Sequence, residues 1–206
     1  KQDVAAPGFL DGTDENGTGN TVANSAGRAL ASETIAPIVV NPGDVLTNRN
    51  FGEVGASSIS GMVFLDLDDD ATRDGNENAG FAGAVIRLTG TNDRAQNIDC
   101  TITTTNTGLY SFPNAADADP LCQTLRPGTY ALNETPPVGM THTGVYIGSA
   151  GGSAGLSSGA NTAVTGAAIF DITNIVITPA TTAANYNFGE KGDGLSGSVY
   201  VDSNNE

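Results

Sequence analysis

Ser60-Gly61-Met62-Val63-Phe64-Leu65-Asp66-Leu67-Asp68-Asp69-Asp70-Ala71-Thr72-Arg73-Asp74-Gly75-Asn76-Glu77 runs a β-prone segment straight into an acidic loop. The first six residues carry the branched and aromatic side chains that fit a pleated, half-buried surface, so they predict a strand. From Asp66 the carboxylates fall at places one, three, five, nine and twelve of a twelve-residue loop, with Asp69 extra at place four. That is the ligand spacing of an EF-hand-type calcium loop. Asp66, Asp68, Asp70, Asp74 and Glu77 would give side-chain oxygens, and Thr72 a backbone carbonyl at place seven. Ala71 stands where the pattern wants glycine for its sharp turn. The competing reading is a solvated charge run. A strand rather than a helix enters the loop, which argues for a structural ion rather than a sensor that opens on binding.

Internal repetition sets the layout. Asn50-Phe51-Gly52-Glu53 returns as Asn187-Phe188-Gly189-Glu190, a shift of 188 − 51 = 137 positions. The same shift lays Ile38, Val39 and Val40 on Ile175, Val176 and Ile177, and Pro42 on Pro179. With one residue deleted, Ser60-Gly61 through Asp66 matches Ser196-Gly197 through Asp202. The chain therefore reads as part of a tandem array: 1–53 is the C-terminal part of one repeat, 58–190 a complete repeat, and 195–206 the first strand and loop start of the next. Asp202, Asn204 and Glu206 would begin a second calcium loop. The links between repeats are only a few residues long, which restricts independent swinging.

Inside the complete repeat every local signal is β. Ser58–Asp66, Ala84–Thr89, Cys100–Thr105, Leu109–Phe112, Tyr130–Glu134, Ala168–Ile177 and Tyr186–Phe188 are the expected strands, separated by turn residues. Ile86 and Leu88 share one face, with Val85, Arg87 and Thr89 on the other. The expected fold is all-β: tandem Ig-like or transthyretin-like β-sandwich domains of about seven strands each, without substantial helix. The Gly- and Ser-rich tract 148–160 is expected to be a mobile surface loop.

Composition narrows the partners. Eight basic residues against twenty-three acidic ones give a net charge of −15, which disfavours nucleic acid and anionic membranes and favours a cation. No run of about 18 apolar residues is present, so membrane insertion is not expected. Lys1 opens the chain without Met, which reads as a mature or excised piece. Cys100 and Cys122, 22 positions apart, are expected to form a disulfide in an oxidising, extracellular setting, with two free thiols as the alternative. His142 is the only histidine and is expected in an exposed loop, so zinc is not expected.

The order Ser60–Asp70, Asp74–Glu77, Gly80–Val85, Thr104–Phe112, Leu125–Tyr130 and Glu134-Thr135-Pro136 resembles the B-type domains of bacterial serine-aspartate-repeat surface adhesins, relatives of the collagen-adhesin B domain. The resemblance spans 58–190 nearly end to end. It implies a calcium-stiffened stalk module of a secreted or surface-anchored bacterial adhesin or extracellular fibre. Its loop ligands would be Asp66, Asp68, Asp70, Asp74 and Glu77. The insertion Asn114–Asp119 and the cysteine pair depart from the Gram-positive members. Some related sandwiches carry a Lys–Asn isopeptide bond; the only lysines here, Lys1 and Lys191, lie outside the complete repeat. Calcium and the disulfide are then the expected stiffeners.

Gly151-Gly152-Ser153-Ala154-Gly155 fits a nucleophile-elbow pattern but lies in a low-complexity tract, so no enzyme is inferred. Gly192-Asp193-Gly194-Leu195-Ser196-Gly197 fits a dinucleotide fingerprint yet leads into a strand, so it reads as an interdomain link. Asp11, Asp14, Asp117 and Asp119 are expected in turns and caps, with a further cation site as the alternative. The expected partners are neighbouring repeats of the same polypeptide or fibre, joined in series or by strand addition at an unpaired edge. The alternative function is a glycan- or protein-binding adhesive module, for which few aromatics are present.

Overall fold

The structure is a computed structural model that describes residues 7–12, 38–47 and 50–192. Asp14, Asp202, Asn204 and Glu206 lie outside the described residues, as does the expected start of a third repeat. Two short strands come first: β1 (Phe9–Asp11) pairs antiparallel with β2 (Glu53–Gly55). Next come β3 (Ser58–Leu65), β4 (Val85–Asn92), β5 (Asn97–Thr103), β6 (Leu109–Phe112), β7 (Gly128–Thr135) and β8 (Met140–Ile147). They are followed by β9 (Ser153–Ala154), β10 (Ser157–Ser158), β11 (Thr162–Thr165), β12 (Asp171–Ile177), β13 (Thr182–Ala183) and β14 (Asn187–Gly192). Among the described residues, no helix is long and apolar enough to cross a membrane. The one helical element among the described residues is the 3-10 turn Pro120–Cys122, capped by the Asp119 carboxylate, which accepts from the Leu121 N–H.

Apart from the two-stranded β1–β2 sheet, the strands form two sheets, ordered β10-β9-β12-β7-β4-β5 and β11-β8-β14-β3-β13, with β6 also paired to β3. Alternation decides which side chains meet between them. Ile86 and Leu88 of β4 are buried while Arg87 between them is exposed. Tyr130, Leu132 and Glu134 of β7 follow the same inward phase, as do Ile172, Ile175 and Ile177 of β12 after a bulge where Asn174 takes φ 55°. Against them the second sheet presents Ile59, Val63, Val145, Ile147, Tyr186 and Phe188, all in one continuous core. Cys100 of β5 and Cys122 are joined as a disulfide with Cα atoms 5.6 Å apart, tying the 3-10 turn to the sheet.

The pairing of first and last strands fixes the polarity of the sandwich. β14 runs parallel to β3, Phe188 beside Val63 and Glu190 beside Leu65. The backbone therefore enters at one end of the sandwich, at Ser57, and leaves at the other, at Gly192. At the entry end, Arg94 donates to the Asp11 side chain at 2.7 Å and to its carbonyl at 2.5 Å. Arg126 donates to the same carbonyl at 3.0 Å and pairs with Asp93 at 2.7 and 2.9 Å. The β1–β2 pair is thus pinned to the sandwich through Asp11.

Three expectations are corrected. Asp11 lies not in a turn or cap but in β1, paired across to Glu53 and held by Arg94. The tract 148–160 is not a free loop: β9 and β10 form a hairpin on the edge of β12, Ala154 is buried, and the Tyr186 hydroxyl donates to the Gly151 carbonyl at 2.9 Å. His142 is not exposed; it lies at 3% exposure in β8.

Gly61 illustrates how tightly β3 is held. A methyl there would meet the Tyr186 carbonyl oxygen at 1.7 Å and the Tyr110 hydroxyl at 2.7 Å, where Tyr110 now donates to that carbonyl at 2.6 Å. Gly61→Ala is therefore expected to lower the unfolding free energy by about 3 kcal/mol or more, measured by urea titration. A change within about 0.5 kcal/mol would contradict this packing.

Candidate functional site

The acidic loop grows out of β3 at the exit end. Leu65 N–H donates to the Ala79 carbonyl at 2.8 Å, which closes the excursion at its base. Asp66 N–H donates to the Glu190 carbonyl at 2.9 Å, which ties the loop to the last strand. Asp66 is fully buried: its Oδ2 accepts from Ala71 N–H at 3.0 Å and from the Thr143 hydroxyl at 2.5 Å, while its Oδ1 is buried without a hydrogen-bond partner. Thr143 is placed for this by a bulge, since it is the extra residue of β8 opposite the Gly189–Glu190 step.

Asp66, Asp68, Asp70 and Glu77 bring one carboxylate oxygen each within 4.8 Å of one another. Glu77, also buried, holds the loop closed by accepting from Leu67 N–H at 2.6 Å and Asp74 N–H at 3.2 Å. Asp70 accepts from Thr72 N–H at 2.6 Å, which sets the turn at place seven. Asp74 is not among the four converging carboxylates; it accepts weakly from Asn76 N–H at 3.4 Å. Place nine of such loops often reaches its ion through water, which suits this position. Asp69, the extra carboxylate, pairs with Lys191 at 2.6 Å on the exposed side.

The glycine lacking at place six is compensated across a contact. Ala71 adopts φ 58°, the left-handed conformation that glycine would take, at a cost of about 1 kcal/mol. Its methyl is fully buried, and a Cβ on Gly144 opposite would sit only 3.0 Å from it. The same Cβ would stand 2.4 Å from the Val164 carbonyl oxygen, so the close approach of β11 requires glycine at 144 first, and the space it leaves also admits the Ala71 methyl.

A second polar cluster lies inside the core, where the sequence reading placed nothing. Glu134 comes from one sheet, and His142 and Glu190 from the other; all three are buried. His142 Nδ1 lies 2.7 Å from Glu190 Oε1 and 3.0 Å from Glu134 Oε2, and Nε2 lies 2.8 Å from the Ile169 carbonyl. A carbonyl only accepts, so Nε2 carries hydrogen. The Phe170 ring covers the imidazole, with centroids 4.6 Å apart. Glu134 Oε2 meets only His142 Nδ1, and Glu134 Oε1 and Glu190 Oε2 have no hydrogen-bond partner. Burial pushes the Glu134 carboxyl up, the His142 hydrogen bond opposes this, the Glu190 charge adds to it, and the result is about 7. Burial pulls His142 down, but the two carboxylates outweigh it and hold the ring at about 9.

Comparison with protein-family models and with curated proteins returns no match. Beside β3 and β6 lies an open groove of about 530 Å³ lined by Met62, Ile102, Leu109 and Tyr110. One aromatic ring gives it little for stacking on a sugar.

The inner cluster carries a pH dependence. Both folded-state values lie above the ordinary 4.5 and 6.5, so the native state holds protons that the unfolded chain has released. Stability from Glu134 is complete below 4.5 and lost by about 7; that from His142 is complete below 6.5 and lost by about 9. Urea unfolding of the metal-free protein is expected to show stability falling from pH 6 to about pH 9, with a shallower fall in His142→Gln. Stability rising over that window would contradict the assignment.

Proposed function

We propose that this chain is a structural, calcium-stiffened repeat module of a secreted or surface-anchored extracellular fibre or bacterial adhesin, with no catalytic role. One observation carries the reading: β3 and β14 lie side by side and parallel, so consecutive repeats would join end to end rather than side by side. A chain threaded this way transmits tension along the sheet, with the β3–β14 hydrogen bonds loaded together. The acidic loop stands at the exit end, tied to β14 through Asp66, Thr143 and the Asp69–Lys191 pair. An ion there would stiffen the step from one repeat to the next.

The residues present suit calcium. Asp66, Asp68, Asp70 and Glu77 offer hard oxygen donors, the Thr72 carbonyl completes the twelve-residue pattern, and the buried, unpartnered Asp66 Oδ1 is an oxygen in want of a cation. Four converging carboxylates repel without one. Calcium would offset half of their charge and hold Leu67–Asn76 against the sandwich. Extracellular modules of this kind bind with dissociation constants on the order of 10⁻⁴–10⁻³ M.

Calorimetry in about 10 mM calcium and in EGTA tests the proposal. At roughly a hundredfold excess over the dissociation constant, calcium adds about 2.7 kcal/mol. The wild-type melting temperature is expected to rise by several degrees, and Asp68→Ala with Asp70→Ala to abolish the rise. No calcium-dependent shift, or an equal shift in the double variant, would overturn calcium stiffening.

A further inference from the structure

The Glu134–His142–Glu190 cluster uses donor chemistry unlike that of the acidic loop. Two carboxylates from opposite sheets converge on a ring nitrogen, one ligand atom from each residue lying within 4.8 Å of the others. We propose that these three residues form a separate, buried site for a first-row divalent ion of the zinc class, bound through His142 Nδ1 and one oxygen each of Glu134 and Glu190.

Three observations lead there. First, the imidazole is oriented as a ligand: its far nitrogen, Nε2, donates to the Ile169 carbonyl, which leaves Nδ1 facing the two carboxylates. Metal-binding histidines characteristically donate their other N–H to a carbonyl or carboxylate, which fixes the tautomer and the ring plane. Second, a proton on Nδ1 is shared between Glu190 Oε1 at 2.7 Å and Glu134 Oε2 at 3.0 Å, and it leaves Glu134 Oε1 and Glu190 Oε2 buried without a hydrogen-bond partner. A buried carboxylate lacking a partner is strongly disfavoured. A divalent ion facing two carboxylates and a neutral imidazole balances the charge completely, since −2 + 2 = 0. Third, the spacing is close to that of a compact ion. Donors about 2.0–2.1 Å from a tetrahedral centre stand about 3.3 Å apart, a few tenths of an ångström wider than the observed 2.7 and 3.0 Å.

Calcium does not suit this place. It takes six to eight oxygen ligands, whereas this set has three members and one is nitrogen. Borderline ions that accept imidazole and carboxylate together do suit it. The ion would act as a staple, because Glu134 belongs to β7 of one sheet while His142 and Glu190 belong to β8 and β14 of the other. The shell around it is apolar and covered: Phe170 lies 4.6 Å and Phe188 6.3 Å from the His142 ring, centroid to centroid.

The test uses the whole chain carrying Asp68→Ala with Asp70→Ala, so that the acidic loop is disabled. It is refolded from urea with one equivalent of Co²⁺, so that burial cannot block loading. His142 is the only histidine, and any imidazole signature is therefore its own. With Glu134 Oε1 or Glu190 Oε2 as fourth donor, the expected result is a visible ligand-field band of four-coordinate Co²⁺, lost when Zn²⁺ is added. A paramagnetically shifted, exchangeable imidazole N–H resonance should accompany it. Glu134→Gln keeps the side-chain shape and removes one charge; it should fold and weaken Zn²⁺ by about 10- to 100-fold or more. A folded protein with no band, or a band without the imidazole resonance, overturns the proposal. So does unchanged Zn²⁺ affinity in Glu134→Gln. Because the loop is disabled throughout, these outcomes are independent of calcium binding there.

Discussion

The parallel pairing of β3 with β14 is the constraint on which the rest of the molecule depends. It places the first and last strands of the sandwich beside each other near the centre of one sheet, with β8 on the far side of β14. The rows of contact that follow are close: Gly61 beneath Tyr186, and Phe188 beside Val63. Because the two strands point the same way, the start of β3 lies at one end and the end of β14 at the other. Asp11 and its two arginines hold the entry end. The acidic loop occupies the exit end, where Asp66 continues the β3–β14 ladder through its own N–H.

That arrangement brings two polar clusters within one strand register of each other without merging them. Glu190 gives its carbonyl to Asp66 and its side chain to His142, and the bulge on β8 sends Thr143 to Asp66 while His142 enters the core. The outer cluster is all oxygen and partly open. The inner one is mixed nitrogen and oxygen and fully covered. Each contains buried carboxylate oxygens lacking a protein hydrogen-bond partner, Asp66 Oδ1 in one and Glu134 Oε1 and Glu190 Oε2 in the other. An interior that leaves several carboxylate oxygens unpartnered is costly unless a positive charge answers them, and hydrophobic packing alone gives no reason to place them there.

What the sequence made legible was local. The strand-to-loop junction at Asp66 and the alternation of Ile86 and Leu88 need only near neighbours to be read, and the structure places these strands within a few residues of expectation. β8 was missed because Met140–Ile147 does not alternate: His142, Thr143, Gly144 and Val145 are buried in succession, a consequence of the bulge. With β8 went the inner cluster, whose members lie 8 and 48 positions apart along the chain and meet only across sheets. One signal was available. Glu134 follows Tyr130 and Leu132 in the inward phase of β7, and a carboxylate in that phase needs a partner. Ala71 looked like a defect in the loop pattern; its compensation by Gly144 is a tertiary contact that no local reading contains.

Directional force spectroscopy tests the chain-bearing strand pair most directly. Pulled through residues 57 and 192, the module has its β3–β14 hydrogen bonds loaded in shear and simultaneously. Pulled through residues 147 and 162, where β8 and β11 meet as antiparallel neighbours, it has the β8–β11 hydrogen bonds loaded one at a time instead. A load-bearing parallel pair predicts a markedly higher unfolding force in the first direction, raised further by calcium. Equal forces in the two directions, or a lower force through 57 and 192, would contradict it.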